Sequence, residues 1–373
     1  MSVIGSTRLS LGEEQAMLLD VARDFCRRQS PMSAVRAQLD SPLGFDNAVW
    51  RQMVDLGWTG IALPESVGGS ALGVAAVVPV AEALGRAMLG TPLLATTLAA
   101  QLLQRAAPGA QDDLLAEIAA GAVATVAMLE NEDWGNTRYQ VSLDSENRLS
   151  GVKMLVWDAQ AADLLVVVAR DGAGETVLAP VRRAAVADAA LAPHTMIDET
   201  RRAARIDFTG VQAEAVIAGP SVLSALRDYR LLGALLVAAE AGGSAASCLD
   251  TTVAYLKTRK QFGKLIGSYQ ALKHPAVEIL TAVDATRSFV YHAASVVGEE
   301  PLAQEAEIAC RMAKAQATET LCHAGDRAIQ FHGGMGFTYE CDAQLYLRRA
   351  QWAQQQFGDA RHHRTQLAAL LLD

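Results

Sequence analysis

Apolar positions recur at helical spacing through the first third of the chain. Ser10-Leu11-Gly12-Glu13-Glu14 offers a cap and an acidic first turn ahead of Met17, Leu18, Val21 and Phe25. Residues 45–56 repeat the amphipathic period and stop at Gly57-Trp58. Leu63-Pro64-Glu65 with Gly68-Gly69 reads as a loop. Residues 71–88, 92–106 and 114–119 predict three more helices. Near Ala122 the period changes to two: Val123, Thr125, Ala127 and Leu129 alternate as in a strand. Tyr139, Val141 and Leu143 do the same before the turn Asp144-Ser145-Glu146-Asn147. Residues 149–156, 164–169, 176–179 and 204–208 predict further strands. From Pro220 the helical period returns. It predicts long helices over 221–258, 271–297 and 303–332, and a last one running from 343 toward 372.

The order helices, strands, helices implies an α+β chain. We expect an N-terminal helical domain (1–121), a central antiparallel β domain (122–218) and a C-terminal four-helix bundle (219–373). With 51% hydrophobic residues the chain can bury a real core. Its net charge of −9 and lack of basic runs argue against a nucleic-acid or anionic-membrane surface. Five cysteines without a C-x-x-C pair fit a reducing cytoplasm better than a zinc site or a disulfide framework. The first residues lack the layout of a signal peptide. The longest apolar stretch, 231–247, contains Glu240 and small residues, so it reads as a buried helix rather than a membrane span.

Two segments carry candidate chemistry. One is Arg259-Lys260-Gln261-Phe262-Gly263-Lys264-Leu265-Ile266, followed by Gln270. A guanidinium where a helix breaks can fork onto a phosphate or carboxylate. The other is Gln330-Phe331-His332-Gly333-Gly334-Met335-Gly336-Phe337, followed by Arg348. Its glycines let the backbone approach a ligand closely, and their amides can hold an anion or an adenine edge. Taken one at a time, a surface arginine and a helix C-cap explain these residues equally well. His362 and His363, beside Arg361 and Arg364, read as a solvated helix face.

Together the two segments resemble the R-x-x-F-G and Q-x-x-G-G-x-G-[FY] signatures of the acyl-CoA dehydrogenase family. Leu63-Pro64-Glu65, Gly68-Gly69, Glu82-Ala83-Leu84-Gly85 and Thr91-Pro92 are similar to that family's N-terminal domain. The resemblance implies a tetrameric flavoprotein that uses FAD to dehydrogenate an acyl-CoA thioester between its α and β carbons. It admits an electron-transfer flavoprotein as redox partner. It assigns cofactor contacts to Arg259, Gln261, Phe262, Gly263, Gln270, Gln330, Gly333 and Gly334.

The same resemblance exposes losses. The family's usual catalytic Glu falls on Phe357, and its alternative position falls on Gly233. Neither side chain can take a proton. The family's E-P-x-x-G-S-D loop appears here as Glu130-Asn131-Glu132-Asp133-Trp134-Gly135-Asn136. Its W-I-[ST] strand falls on Leu155-Val156-Trp157. In this family the signature arginine and glycines reach the flavin of a neighbouring subunit, whereas the lost residues serve a chain's own flavin. The expectation is a subunit that lacks its own base and pairs with a homologous one. Alternatives are a self-sufficient homo-oligomer with a relocated base (Asp359, Glu130, Glu132 or Asp133) and a flavin-free structural homologue. Glu240 reads as a core carboxylate rather than a base.

Overall fold

The structure is a computed structural model and describes residues 12–298 and 300–372. Helix α1 (Glu13–Gln29) places Glu13 and Glu14 in its first turn and Arg27 and Arg28 in its last, which complements the helix dipole. Its buried stripe is Leu19, Ala22, Phe25 and Cys26. Met17 and Val21 are exposed, so the packed face lies round the helix from the one the spacing suggested. Ser10, the expected cap, lies outside the described residues. After α2 (Met32–Ala37), helix α3 (Asn47–Asp55) is capped by Asp46, whose carboxylate accepts from the Ala48 amide. Helix α4 (Val78–Arg86) starts later than expected. Gly73 has φ of 71° and only one 3-10 turn, Val74–Ala76, precedes it. Helices α5 (Leu93–Ala106) and α6 (Asp112–Ala119) complete the first domain.

The β domain holds β1 (Ala124–Ala127), β2 (Ser142–Leu143), β3 (Arg148–Ser150), β4 (Val152–Trp157), β5 (Leu164–Arg170), β6 (Thr176–Arg182), β7 (Leu191–Pro193), β8 (Ala203–Asp207) and β9 (Val211–Gln212). One sheet runs β1-β5-β2-β3-β9 with β6 on β5, and the other runs β4-β8-β7. The larger sheet is mixed rather than purely antiparallel, because β1 and β2 both pair parallel to β5. The sequence of β5 contains the reason. Its first six residues are all buried, as a strand covered on both faces requires.

Helix α7 (Ser221–Leu256) crosses the molecule and packs on α4, α5 and the helices that follow. Its most apolar 18-residue window is 94% buried, as a core helix should be. Its crossing with α4 is backbone on backbone: a Cβ at Gly85 would lie 1.9 Å from the Glu240 carbonyl oxygen. A small hairpin, β10 (Lys260–Gln261) and β11 (Lys264–Leu265), leads to α8 (Gln270–Val296) and α9 (Gln304–His332).

The expected last helix is two, α10 (Ala343–Gln355) and α11 (Ala360–Leu372). They part because Phe357 and Gly358 take φ of 56° and 97°, which no right-handed helix accommodates. Carbonyls freed at such a break need donors. The fully buried Lys314 of α9 supplies them, its Nζ donating to the Gly358 oxygen at 2.9 Å and toward the Gln354 oxygen at 3.4 Å.

A buried ion cluster ties the β domain to α7 and α10. Arg349 is fully buried and donates to Asp198, to the Thr200 hydroxyl and, at 3.2 Å, to Glu240. Arg201 also pairs with Glu240, and its guanidinium lies 4.7 Å over the Trp352 ring. Burial by itself would raise the Asp198 carboxyl, but Arg349, Arg201 and Thr200 outweigh it and hold it below its ordinary value. Removing Arg349 would leave two buried carboxylates short of a partner. Arg349→Met should therefore cost about 3–5 kcal/mol in urea unfolding. Because the Asp198 pKa is lowered, its contribution is complete above about pH 4 and is lost as pH falls through the folded value. The variant should lose that acid-side slope.

Candidate functional site

Two regions at opposite ends of α7 gather the residues of interest. At its C-terminal end, Phe262 and Gly263 form the turn of the small hairpin, both left-handed with φ of 52° and 77°. Two such residues in succession make the tight turn that matches strand twist. The hairpin, the start of α8 and the end of α9 enclose an open groove of about 680 Å³. Arg259, Gln261, Phe262, Gln330, Gly333 and Gly334 all line it. Gln270 begins α8 between the lining residues Tyr269 and Ala271. Tyr255 stacks on His332 with centroids 4.2 Å apart, locking the end of α7 to the end of α9. Gly333 terminates α9 at φ of 59°, turning the chain across the groove. Among the described residues, no carboxylate pairs with the Arg259 guanidinium. Arg348 instead pairs with Glu199 at 3.0 Å and lies over the Tyr339 ring.

The second region lies within the first half of α7. Gly233 and Phe357, 124 positions apart in sequence, are in direct contact there. A Cβ built on Gly233 would lie 2.3 Å from the tip of the Phe357 ring. The two positions that the family resemblance offers for a base thus converge on one spot, and an aromatic ring occupies it. Trp134 lies 4.3 Å from that ring, Trp157 5.4 Å and Tyr229 5.6 Å, centroid to centroid. Trp352 extends the cluster, 5.2 Å from Trp157. Gln356 fixes the Trp157 indole by accepting its Nε1 hydrogen at 3.1 Å. The cavity left between Trp134, Trp157, Tyr229 and the β-strand floor is about 10 Å³, room for at most about one water. From Gly233 to the end of α7 is 23 residues, or roughly 35 Å of helix. The groove and the filled site are therefore separate places.

The carboxylates weighed as relocated bases accept backbone amides or are exposed. Glu130 accepts the Gln140 and Val141 amides and pairs with the buried Lys153 at 2.7 Å. Burial drives Lys153 down to about 8 against the pull of Glu130. Asp133 accepts the Gly135 amide, Asp359 accepts the His362 amide, and Glu132 is exposed. Glu240 is held by Arg201 and Arg349. Sequence reasoning did not single out Asp158, which burial pushes up to about 7 despite Arg201 and Arg202. It follows Trp157 at the strand end, and nothing in the local pattern marks it. His363 also departs from expectation. It is buried at 2% exposure, not part of a solvated face.

The chain belongs to the acyl-CoA dehydrogenase family. The family models for the N-terminal and C-terminal domains of acyl-CoA dehydrogenase match residues 12–122 and 231–372. The chain is similar to acyl-CoA dehydrogenase IpdE2 of Mycolicibacterium smegmatis, with 30% identity over 96% of this chain and 99% of the relative. It is 33% identical to IpdE2 of Mycobacterium tuberculosis over 92% of each chain. A solved variant of the Tcur3481-Tcur3483 steroid ACAD superposes with a TM-score of 0.84 at 27% identity, covering 97% of this chain and 99% of that one. The family is one of FAD flavoproteins and oxidoreductases acting on a carbon–carbon bond.

The Phe357–Gly233 contact is open to a direct test. Gly233→Ala alone forces a methyl into the ring and should cost about 1–3 kcal/mol. Phe357→Ala alone should cost about 3–5 kcal/mol through the cavity it leaves. In the Phe357→Ala background the clash is gone, so Gly233→Ala should stabilise by about 0.5–1 kcal/mol through helix propensity. Chemical denaturation of the four proteins measures the sign change.

Proposed function

We propose that this chain is the subunit without a catalytic base in a heteromeric, FAD-dependent acyl-CoA dehydrogenase, with a steroid-derived acyl-CoA as its substrate class. The observation that carries this reading is the Phe357 ring lying on Gly233. Dehydrogenation next to a thioester needs a general base for the α-proton. FAD supplies the acceptor for the hydride leaving the β-carbon. With both base positions apolar, the chemistry takes place on the homologous partner.

This chain's contribution is then its groove. The Arg259 guanidinium offers a fork to a phosphate of the partner's cofactor. Gln330, Gly333 and Gly334 offer amide groups to the groove, which Gln261 and Phe262 also line; Gly263 turns the hairpin beside it and Gln270 begins α8 next to the lining residues. Phe262 is 91% exposed and Met335 55%, and an apolar rim of this kind calls for a covering surface. Two such pairs make a cytoplasmic tetramer that passes electrons to an electron-transfer flavoprotein. The two-component name of the steroid ACAD relative supports the pairing.

The test is co-expression with a homologous chain that carries the missing Glu. Turnover of acyl-CoA should appear only with both chains. Arg259→Gln in the complex should weaken flavin retention by about 10–100-fold, the worth of one charge-assisted bond. Turnover by this chain alone, as a flavin-loaded homo-oligomer, would contradict the reading.

A further inference from the structure

A second cavity adjoins the aromatic cluster and differs from it chemically. It holds about 210 Å³. Trp134 and Phe357 make one wall. Arg227 and Arg230 of α7, Arg311 of α9, and His362 and His363 of α11 contribute to the rest. Among the described residues no carboxylate lines it, and Asp133 and Asp359 lie near His362 at its edge. Glu307 lies behind the wall, accepting from Arg227 at 2.6 Å and from Arg311 at 2.6 Å. Arg227 also reaches Asp228 at 3.4 Å, so Glu307 and Asp228 together serve the two guanidiniums.

Arg230 has no carboxylate partner among the described residues. It donates to the Tyr139 hydroxyl at 2.8 Å, and its Nε is buried with no acceptor. His363 is 98% buried by its 2% exposure, and neither of its ring nitrogens makes a hydrogen bond of normal geometry. Burial lowers His362 and pushes His363 down to about 2, so the His363 ring is neutral. A neutral imidazole retains one N–H to donate. The Arg230 Nε and the His363 ring therefore line one partly open space without a partner of their own.

We propose that this cavity binds the phosphate group of a small molecule. Guanidiniums match phosphate oxygens in bidentate fashion. Here the donors come from three helices rather than one plane, which suits a tetrahedral oxyanion better than a planar carboxylate. The volume exceeds that of phosphate alone, and the Trp134–Phe357 wall accepts an apolar or aromatic substituent. The site belongs entirely to this chain. It needs neither FAD nor a partner, so its test is independent of the role proposed above.

Calorimetric titration of the full chain at neutral pH and fixed ionic strength, with inorganic phosphate, phenyl phosphate and benzoate as probes, decides it. Both phosphates should bind saturably at one site per chain, phenyl phosphate more tightly, and benzoate should bind more weakly than either. Arg230→Gln and His363→Gln should each weaken phenyl phosphate by about tenfold or more. Arg182→Gln, whose guanidinium serves Glu117 and Glu214 elsewhere, should leave it unchanged. If Arg230→Gln does not fold, Arg230→Lys keeps the charge, loses the guanidinium donors and should show the same weakening. Absence of saturable binding, undiminished affinity in both folded variants, or benzoate binding as tightly as phenyl phosphate would overturn the proposal.

Discussion

The ring of Phe357 rests on the bare Cα of Gly233, and much of the C-terminal half is arranged around that contact. It exists only because α7 carries no side chain at 233 and because the chain turns left-handed at 357. That turn splits α10 from α11 and needs donors for the carbonyls it frees. Lys314, buried and pushed down to about 7 by that burial, donates to them. Trp134, Trp157 and Tyr229 then close over the ring. A glycine, an aromatic side chain and a lysine far apart in sequence thus cooperate to fill the space where the family resemblance places a base.

The filling is well supported rather than loose. The Arg349–Asp198–Glu240 cluster pins the β domain to α7 and α10 beside it, and Arg201 lies over Trp352 at the cluster's edge. Buried ions of this kind tolerate no missing member. The groove at the far end of α7 has the opposite character. It is open, rimmed by exposed Phe262 and Met335, and its arginine has no carboxylate partner among the described residues. The aromatic filling lies against the first half of the helix, and the open groove lies at its far end.

The sequence made the order of domains legible, because helical and strand periods are local signals. It also made the groove legible: Arg259, Gln261, Phe262, Gln330, Gly333 and Gly334 belong to two short motifs, and the structure brings them together. Other features depend on long-range packing. The buried face of α1 lies around Leu19 and Ala22 because of what packs on it, not because of its own period. The break at Phe357 depends on a donor from α9, and the parallel pairing of β1 with β5 depends on a crossover. The contact of Gly233 with Phe357 could not be read from either residue alone. It was a family resemblance that set both positions side by side as absences. His363 looked solvated because its neighbours are arginines, yet tertiary packing buries it.

The central proposal is that this chain offers its groove to a flavin held mainly by a homologous partner. The most direct measurement is the ratio of FAD to polypeptide in the purified complex, from its visible spectrum against quantitative amino-acid analysis. The account predicts one FAD for each pair of unlike chains. One FAD for every chain would contradict it.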